Sequence, residues 1–194
     1  MVLGLKESLE SELDGATTKP HIKDLIVNTH NYYRSIVKPS ARNMLKMEWS
    51  EEAAEKANHQ ASRCVMQHSP FSSRRVSNPY EMQCGENILF SSTETDWAKV
   101  IQDWDSEKDN FALGVGPKSD KDMVGHYTQL VWDKSFLVGC GVANCPNSQF
   151  PYHFVCQYCP AGNDMRRLYK PYKKGKPCAD CRGSCDGKLC KPPV

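Results

Sequence analysis

Between Thr18 and Ile36 the residues Ile22, Leu25, Ile26, Thr29, Tyr32 and Tyr33 recur at helical spacing, with Thr18 able to cap, Pro20 tolerated in the first turn and Pro39 stopping the run. This pattern predicts a first helix. Ser50 followed by Glu51 and Glu52 is a start signal, because a hydroxyl caps free N–H groups and carboxylates favour the positive helix end. Ala54, Ala57, Ala61, Cys64 and Val65 then share a stripe that carries a second helix to about Met66. A third is predicted from about Thr95, with Trp97, Val100, Ile101, Trp104 and Phe111 on one side, before Gly114-Val115-Gly116-Pro117 breaks it.

Beyond that point the period shortens. Leu137–Val142 and Tyr152–Tyr158 are short apolar runs, and in the second Phe154, Cys156 and Tyr158 alternate with His153, Val155 and Gln157 as in a half-buried strand. Asn144–Pro151 is the turn between them. Helices in the first two thirds and strands mostly in the last predict an α+β fold rather than a doubly wound sheet.

The chain has 194 residues, 39% of them apolar and 25% charged, with mean hydropathy −0.62, in the globular range. No apolar run approaches the roughly 18 residues of a bilayer span. Ten cysteines change the picture, since a reducing cytosol leaves thiols unpaired; their number points to the secretory pathway. Met1–Gly15 carries Glu7, Glu10, Glu12 and Asp14 and lacks a basic start and apolar stretch, so it reads as a mature form without its leader. No N-x-S/T acceptor occurs, so N-glycosylation is not expected.

The net charge of +2 hides an asymmetry: residues 166–194 carry +7 and the rest −5. The basic residues Arg166, Arg167, Lys170, Lys173, Lys174 and Lys176 suggest contact with a receptor or an anionic membrane surface, against the plainer reading of a solvated linker. Residues 178–194 contain four cysteines and only Leu189 and Val194 as large aliphatics, too few for a core, so cross-links or metal must hold them.

Cys156-x2-Cys159 and Cys178-x2-Cys181 have the spacing of a four-cysteine zinc site. That reading strands the other six cysteines, whereas five disulfides use all ten and leave no thiolate nucleophile. There is no G-x-S-x-G elbow and no H-E-x-x-H pair. His68, His126, Glu86 and Glu107 are nominated only weakly by spacing. The aromatics are not interleaved with the basic run, so nucleic-acid binding is not expected.

Gly125–Trp132 (GHYTQLVW), Val138-Gly139-Cys140-Gly141 and Tyr152–Asn163 (YHFVCQYCPAGN) resemble the paired signatures of the CAP superfamily, and Ala41–Trp49 and Cys84-Gly85-Glu86-Asn87 fit as well. The terminal cysteines narrow the resemblance to the cysteine-rich secretory proteins. It implies a three-layer α-β-α sandwich: a flexible N-terminal arm (1–19), a CAP domain (20–165), a basic linker (166–177) and a cysteine-rich hinge (178–194). It also implies disulfides joining Cys64 to Cys145, Cys84 to Cys159, Cys140 to Cys156, Cys178 to Cys185 and Cys181 to Cys190, and a cleft gathering His68, His126, Glu86 and Glu107. Two imidazoles there would bind Zn weakly and exchangeably, with the glutamates as partners and no cofactor required. The function implied is secreted, extracellular and non-enzymatic, in gamete or reproductive-tract communication such as sperm attraction. A metal-assisted hydrolase and a sterol- or lipid-binding protein are the alternatives. Chain length departs from relatives that carry a further channel-regulating domain, so that activity is not carried over.

Overall fold

The computed structural model describes Leu13 and residues 15–181 and 184–192, so the expected N-terminal arm and the tip of the hinge fall partly outside the described residues. Four helices, α1 (Pro20–Ser35), α2 (Glu51–Ser62), α3 (Trp97–Ser106) and α4 (Gly125–Leu130), enclose a central sheet. Its strands are β1 (Glu48–Trp49), β2 (Gly85–Ser91), β3 (Leu137–Asn144) and β4 (Tyr152–Cys159), in the order β1-β3-β4-β2. β1 runs parallel to β3, while β3–β4 and β4–β2 are antiparallel.

Strand β4 is buried along nearly its whole length, not on one face only. The alternation read from the sequence is real, but both sets of side chains are covered. Phe154, Cys156 and Tyr158 join a core built from α1, α3 and α4, including Ile26, Trp97, Ile101 and Leu130. Val155 packs with Ala57 and Ala61 of α2 on the opposite side. Helix α2 lies directly on the backbone of β3, because a Cβ on Gly139 would sit 2.2 Å from the Ala54 nitrogen and one on Gly141 2.5 Å from the Asn58 Cα. Side chains at these positions would push a layer away.

Two helices depart from their predicted limits. Helix α1 is capped at Lys19 rather than Thr18, with Pro20 at its first position, where a missing N–H costs nothing. Helix α2 does begin with the Ser50 side chain accepting from the Ala53 N–H, but it ends at Ser62, short of Met66, and Cys64 takes a left-handed φ of 55°. Phe111 leaves the α3 stripe for a short hairpin strand, separated from the helix by a 3-10 turn over Glu107–Asn110.

The buried face of α1 is more polar than its apolar stripe suggests. Leu25 and Tyr32 face solvent, whereas Ile22, Ile26, His30, Asn31 and Arg34 are buried. Each inward polar group is satisfied. Arg34 donates to the carbonyls of Leu45, Leu130, Trp132 and Ser135 at 2.6–3.1 Å. Asn31 bonds both backbone groups of Met47. His30 bridges the Ile26 carbonyl at 2.7 Å and the Tyr158 hydroxyl at 2.9 Å. Polar residues with full partners can replace apolar ones in a core.

Disulfides lock the layers: Cys64–Cys145 ties the end of α2 to the residue after β3, Cys84–Cys159 joins the start of β2 to the end of β4, and Cys140–Cys156 crosses β3–β4. Cys178–Cys185 and Cys181–Cys190 hold the C-terminal hairpin. No cysteine is free, so the four-cysteine zinc reading is excluded. The C-terminal segment is docked: Leu189 and Tyr172 enter the main core, and residues 171–175 bond backbone groups of Ser40, Arg42 and Asp133. At the other end, Trp97 donates to the Gly15 carbonyl at 2.8 Å.

Candidate functional site

The site forms at the open edge of the sheet, along β2. Turned back by Cys64 and its bridge, the chain after α2 brings His68 and Ser69 alongside Glu86, the second residue of β2. One Glu86 oxygen accepts from His68 Nδ1 and the Ser69 N–H, both at 2.9 Å. The other accepts from Ser69 Oγ at 2.6 Å and Gln157 Nε2 at 3.1 Å. Burial alone would raise the pKa of this carboxyl, but the bonds from His68, Ser69 and Gln157 outweigh it and hold the pKa below its ordinary range. Glu86 is therefore a fixed anion.

A second pair stands across the strand. Glu107, on the 3-10 turn after α3, accepts from His126 Nδ1 at 2.6 Å and from the Tyr127 N–H at 2.9 Å. Its carboxylate thus caps the first turn of α4 while orienting the imidazole. The His126 ring lies nearly parallel to Trp104, with centroids 6.2 Å apart. Asn87 links the halves, donating to the His126 carbonyl at 3.0 Å. Because neighbouring strand residues point to opposite faces, Glu86 and Asn87 direct the two pairs to the two sides of one edge strand.

In each pair the carboxylate accepts from Nδ1, so Nε2 is the nitrogen that could ligate a metal. This carboxylate–histidine arrangement is the one that orients zinc ligands. Among the described residues, no three of the four groups bring ligand atoms within 4.8 Å of one another; the cluster that does, Cys178, Cys181 and Cys185, is consumed by disulfides. Two imidazoles completed by water would be one protein ligand short of the usual catalytic zinc set.

Residues 27–158 match the Cysteine-rich secretory protein family, CAP. The chain is 50% identical over 175 residues to cysteine-rich secretory protein 2 of Cavia porcellus, covering 90% of this chain and 70% of that one. It is 46% identical over 168 residues to allurin of Xenopus tropicalis, covering 87% and 82%. This chain belongs to the cysteine-rich secretory protein family. A solved member of the same fold, the crystal structure of NaASP2 with Zn2+, is 30% identical, matches 91% of this chain and 97% of its own, and has a TM-score of 0.71. As a cysteine-rich secretory protein the chain is assigned to the extracellular side, and among the described residues no helix is long and apolar enough to cross a membrane.

Within this family member, the basic segment is not uniformly free. Arg166 is bonded to Asp164, and Arg167 makes two bonds, at 2.6 and 3.1 Å, to the buried Asp133 while stacking over Trp132. Arg167 is thereby tied to the body, whereas the Arg166 pair is local and exposed. Lys170, Lys173, Lys174 and Lys176 make no salt bridge among the described residues.

Ser69, Asn87, Gln157 and Trp104 were not nominated from the sequence as site residues. Asn87 and Gln157 lie inside the quoted motifs, but nothing local distinguishes a side chain that orients a carboxylate from one that fills a strand. Strand β2 and helix α4 were also missed. Helix α4 is only six residues long, too short for a periodic signal, and β2 has no clean alternation.

Proposed function

We propose that this protein is a secreted, non-enzymatic recognition and signalling protein acting between gametes or in the reproductive tract, with zinc held weakly and exchangeably by His68 and His126. The observation that carries the reading is the pair of histidine–glutamate couples at the edge of a disulfide-locked sheet, each imidazole held through Nδ1 by a carboxylate. The likeness to allurin and to cysteine-rich secretory protein 2 supports the biological setting, and the zinc-containing relative supports the metal. The full use of sulfur in bridges removes covalent thiol chemistry from consideration.

Zinc titration calorimetry on the wild type and a His68→Ala, His126→Ala double variant tests the metal half; unchanged affinity refutes it. A sperm-migration assay in a gradient of the purified protein tests the signalling half. A peptide-substrate screen whose turnover disappears in Glu107→Gln would replace this reading with the hydrolase alternative.

A second reading, lipid binding, is supported by one cavity of mixed lining. A cavity of about 380 Å³ between the end of α1, the turn after α3, and α4 is lined by Tyr33, Val37, Phe111, Leu113, Tyr127 and Tyr172 together with the charged Lys38, Asp105 and Lys108. Extraction of lipid from the purified native protein tests it.

A further inference from the structure

We infer that the groove between the body and the C-terminal hairpin binds an acidic segment of a partner protein, one that presents an aromatic or branched apolar side chain flanked by carboxylates. The groove has a volume of about 880 Å³, within the range of small-ligand sites. Its floor is apolar: Leu45, Phe136, Pro160 and the Cys181–Cys190 bridge, with Tyr80 at the rim. Tyr80 is half-exposed, and its ring stands 6.3 Å from that of Phe136.

Three lysines surround this floor. Lys134 comes from the body, whereas Lys173 and Lys191 come from the basic C-terminal segment, which folds back to bring them there. All three are exposed, and none makes a salt bridge among the described residues. Asp180, the acid among the lining residues, is already bonded to Arg42 at 2.8 Å. The groove therefore presents net positive charge around an apolar floor, complementary to an anion that also has an apolar group.

Shape separates a peptide from a bilayer. Phe136 is 1% and Cys190 4% exposed, so the apolar surface lies at the bottom of a recess. A planar membrane can touch the lysines but not the floor; a single inserted side chain reaches both. The inference rests on the recognition reading only for the occupant being a protein, and it is independent of zinc.

The test uses the full chain and a capped, fluorescently labelled peptide of sequence Asp-Glu-Phe-Glu-Asp, read by anisotropy. Lys134→Ala/Lys173→Ala/Lys191→Ala should weaken binding at least tenfold, and Tyr80→Ala or a glycine-centred peptide about fivefold. Lys170→Ala/Lys176→Ala/Lys188→Ala removes the same formal charge outside the groove lining and should stay within twofold. Equal loss in the two triple variants, or no measurable binding, overturns the proposal. So does loss of binding to phosphatidylserine-containing vesicles in the groove variant when the peptide does not bind, since the lysines then serve a membrane. Competition by oleate against a glycine-centred and a phenylalanine-centred peptide alike also overturns it. Zinc affinity is unaffected by the groove variants, so failure here leaves the recognition reading standing on its own tests.

Discussion

One carboxylate oxygen of Glu107 lies 2.6 Å from Nδ1 of His126, while the other accepts the N–H of Tyr127 at 2.9 Å. The same side chain thus starts a helix and aims an imidazole. Glu107→Gln keeps the shape but weakens the charge-assisted bond to Nδ1, and a lost carboxylate behind a ligating histidine typically lowers metal affinity 10- to 100-fold. Calorimetry should show zinc binding weakened by about that factor with the fold retained by circular dichroism. Wild-type affinity in this variant would remove Glu107 from the metal site.

Arg34 is the most heavily committed side chain of the core, bonding four carbonyls from two separate stretches, Leu45 and residues 130–135. Burial lowers its pKa to about 9, with Asp133 opposing the shift, so it stays charged at neutral pH. Arg34→Met should destabilise the protein by on the order of 4 kcal/mol, because it strands buried acceptors. Urea unfolding under oxidising conditions measures this; a loss below about 1 kcal/mol would mean that water takes over the carbonyls.

His30 is held neutral, its pKa lowered to about 4 chiefly by burial and further by Arg34, against the bond to Ile26. In the unfolded chain it titrates near 6.5. Between those values the unfolded state binds a proton that the folded state does not, so stability must fall as pH drops from about 6.5 to 4. The contribution lost at the acid end is on the order of 2 to 3 kcal/mol. Denaturation midpoints across that range, with the His30 ring signals followed by NMR, check both the slope and the group; protonation of His30 in the folded protein above pH 6 contradicts it.

The bridges should differ in worth. Cys84–Cys159 spans 75 residues and Cys140–Cys156 spans 16, so chain-entropy reasoning assigns about 4.5 and about 3 kcal/mol respectively. Paired serine variants, compared by thermal unfolding, should follow that order. The reverse order would show that local strand geometry, not loop closure, dominates.

Much of the architecture could be read from local pattern. The three longer helices announce themselves by stripes such as Trp97, Val100, Ile101 and Trp104 or Ala54, Ala57 and Ala61, since apolar residues at helical spacing mark a face turned toward a core. Strands β3 and β4 were visible as short apolar runs, and an even count of ten cysteines already argued for bridges. The four histidine and glutamate residues came from the family resemblance and their pairing from the structure, because 18 residues separate His68 from Glu86 and 19 separate Glu107 from His126, and no spacing rule reaches that far.

Periodicity, cysteine number and charge distribution are local or additive properties, and residue order alone was enough for them: an α+β body, an oxidised compartment and a basic C-terminal segment. Three-dimensional packing alone settled which face of α1 turns inward, which lysines surround the hinge groove and which arginines are already neutralised. Those outcomes depend on partners brought together from distant parts of the chain. A polar side chain such as Arg34 looks like a surface residue until the carbonyls that satisfy it are in place.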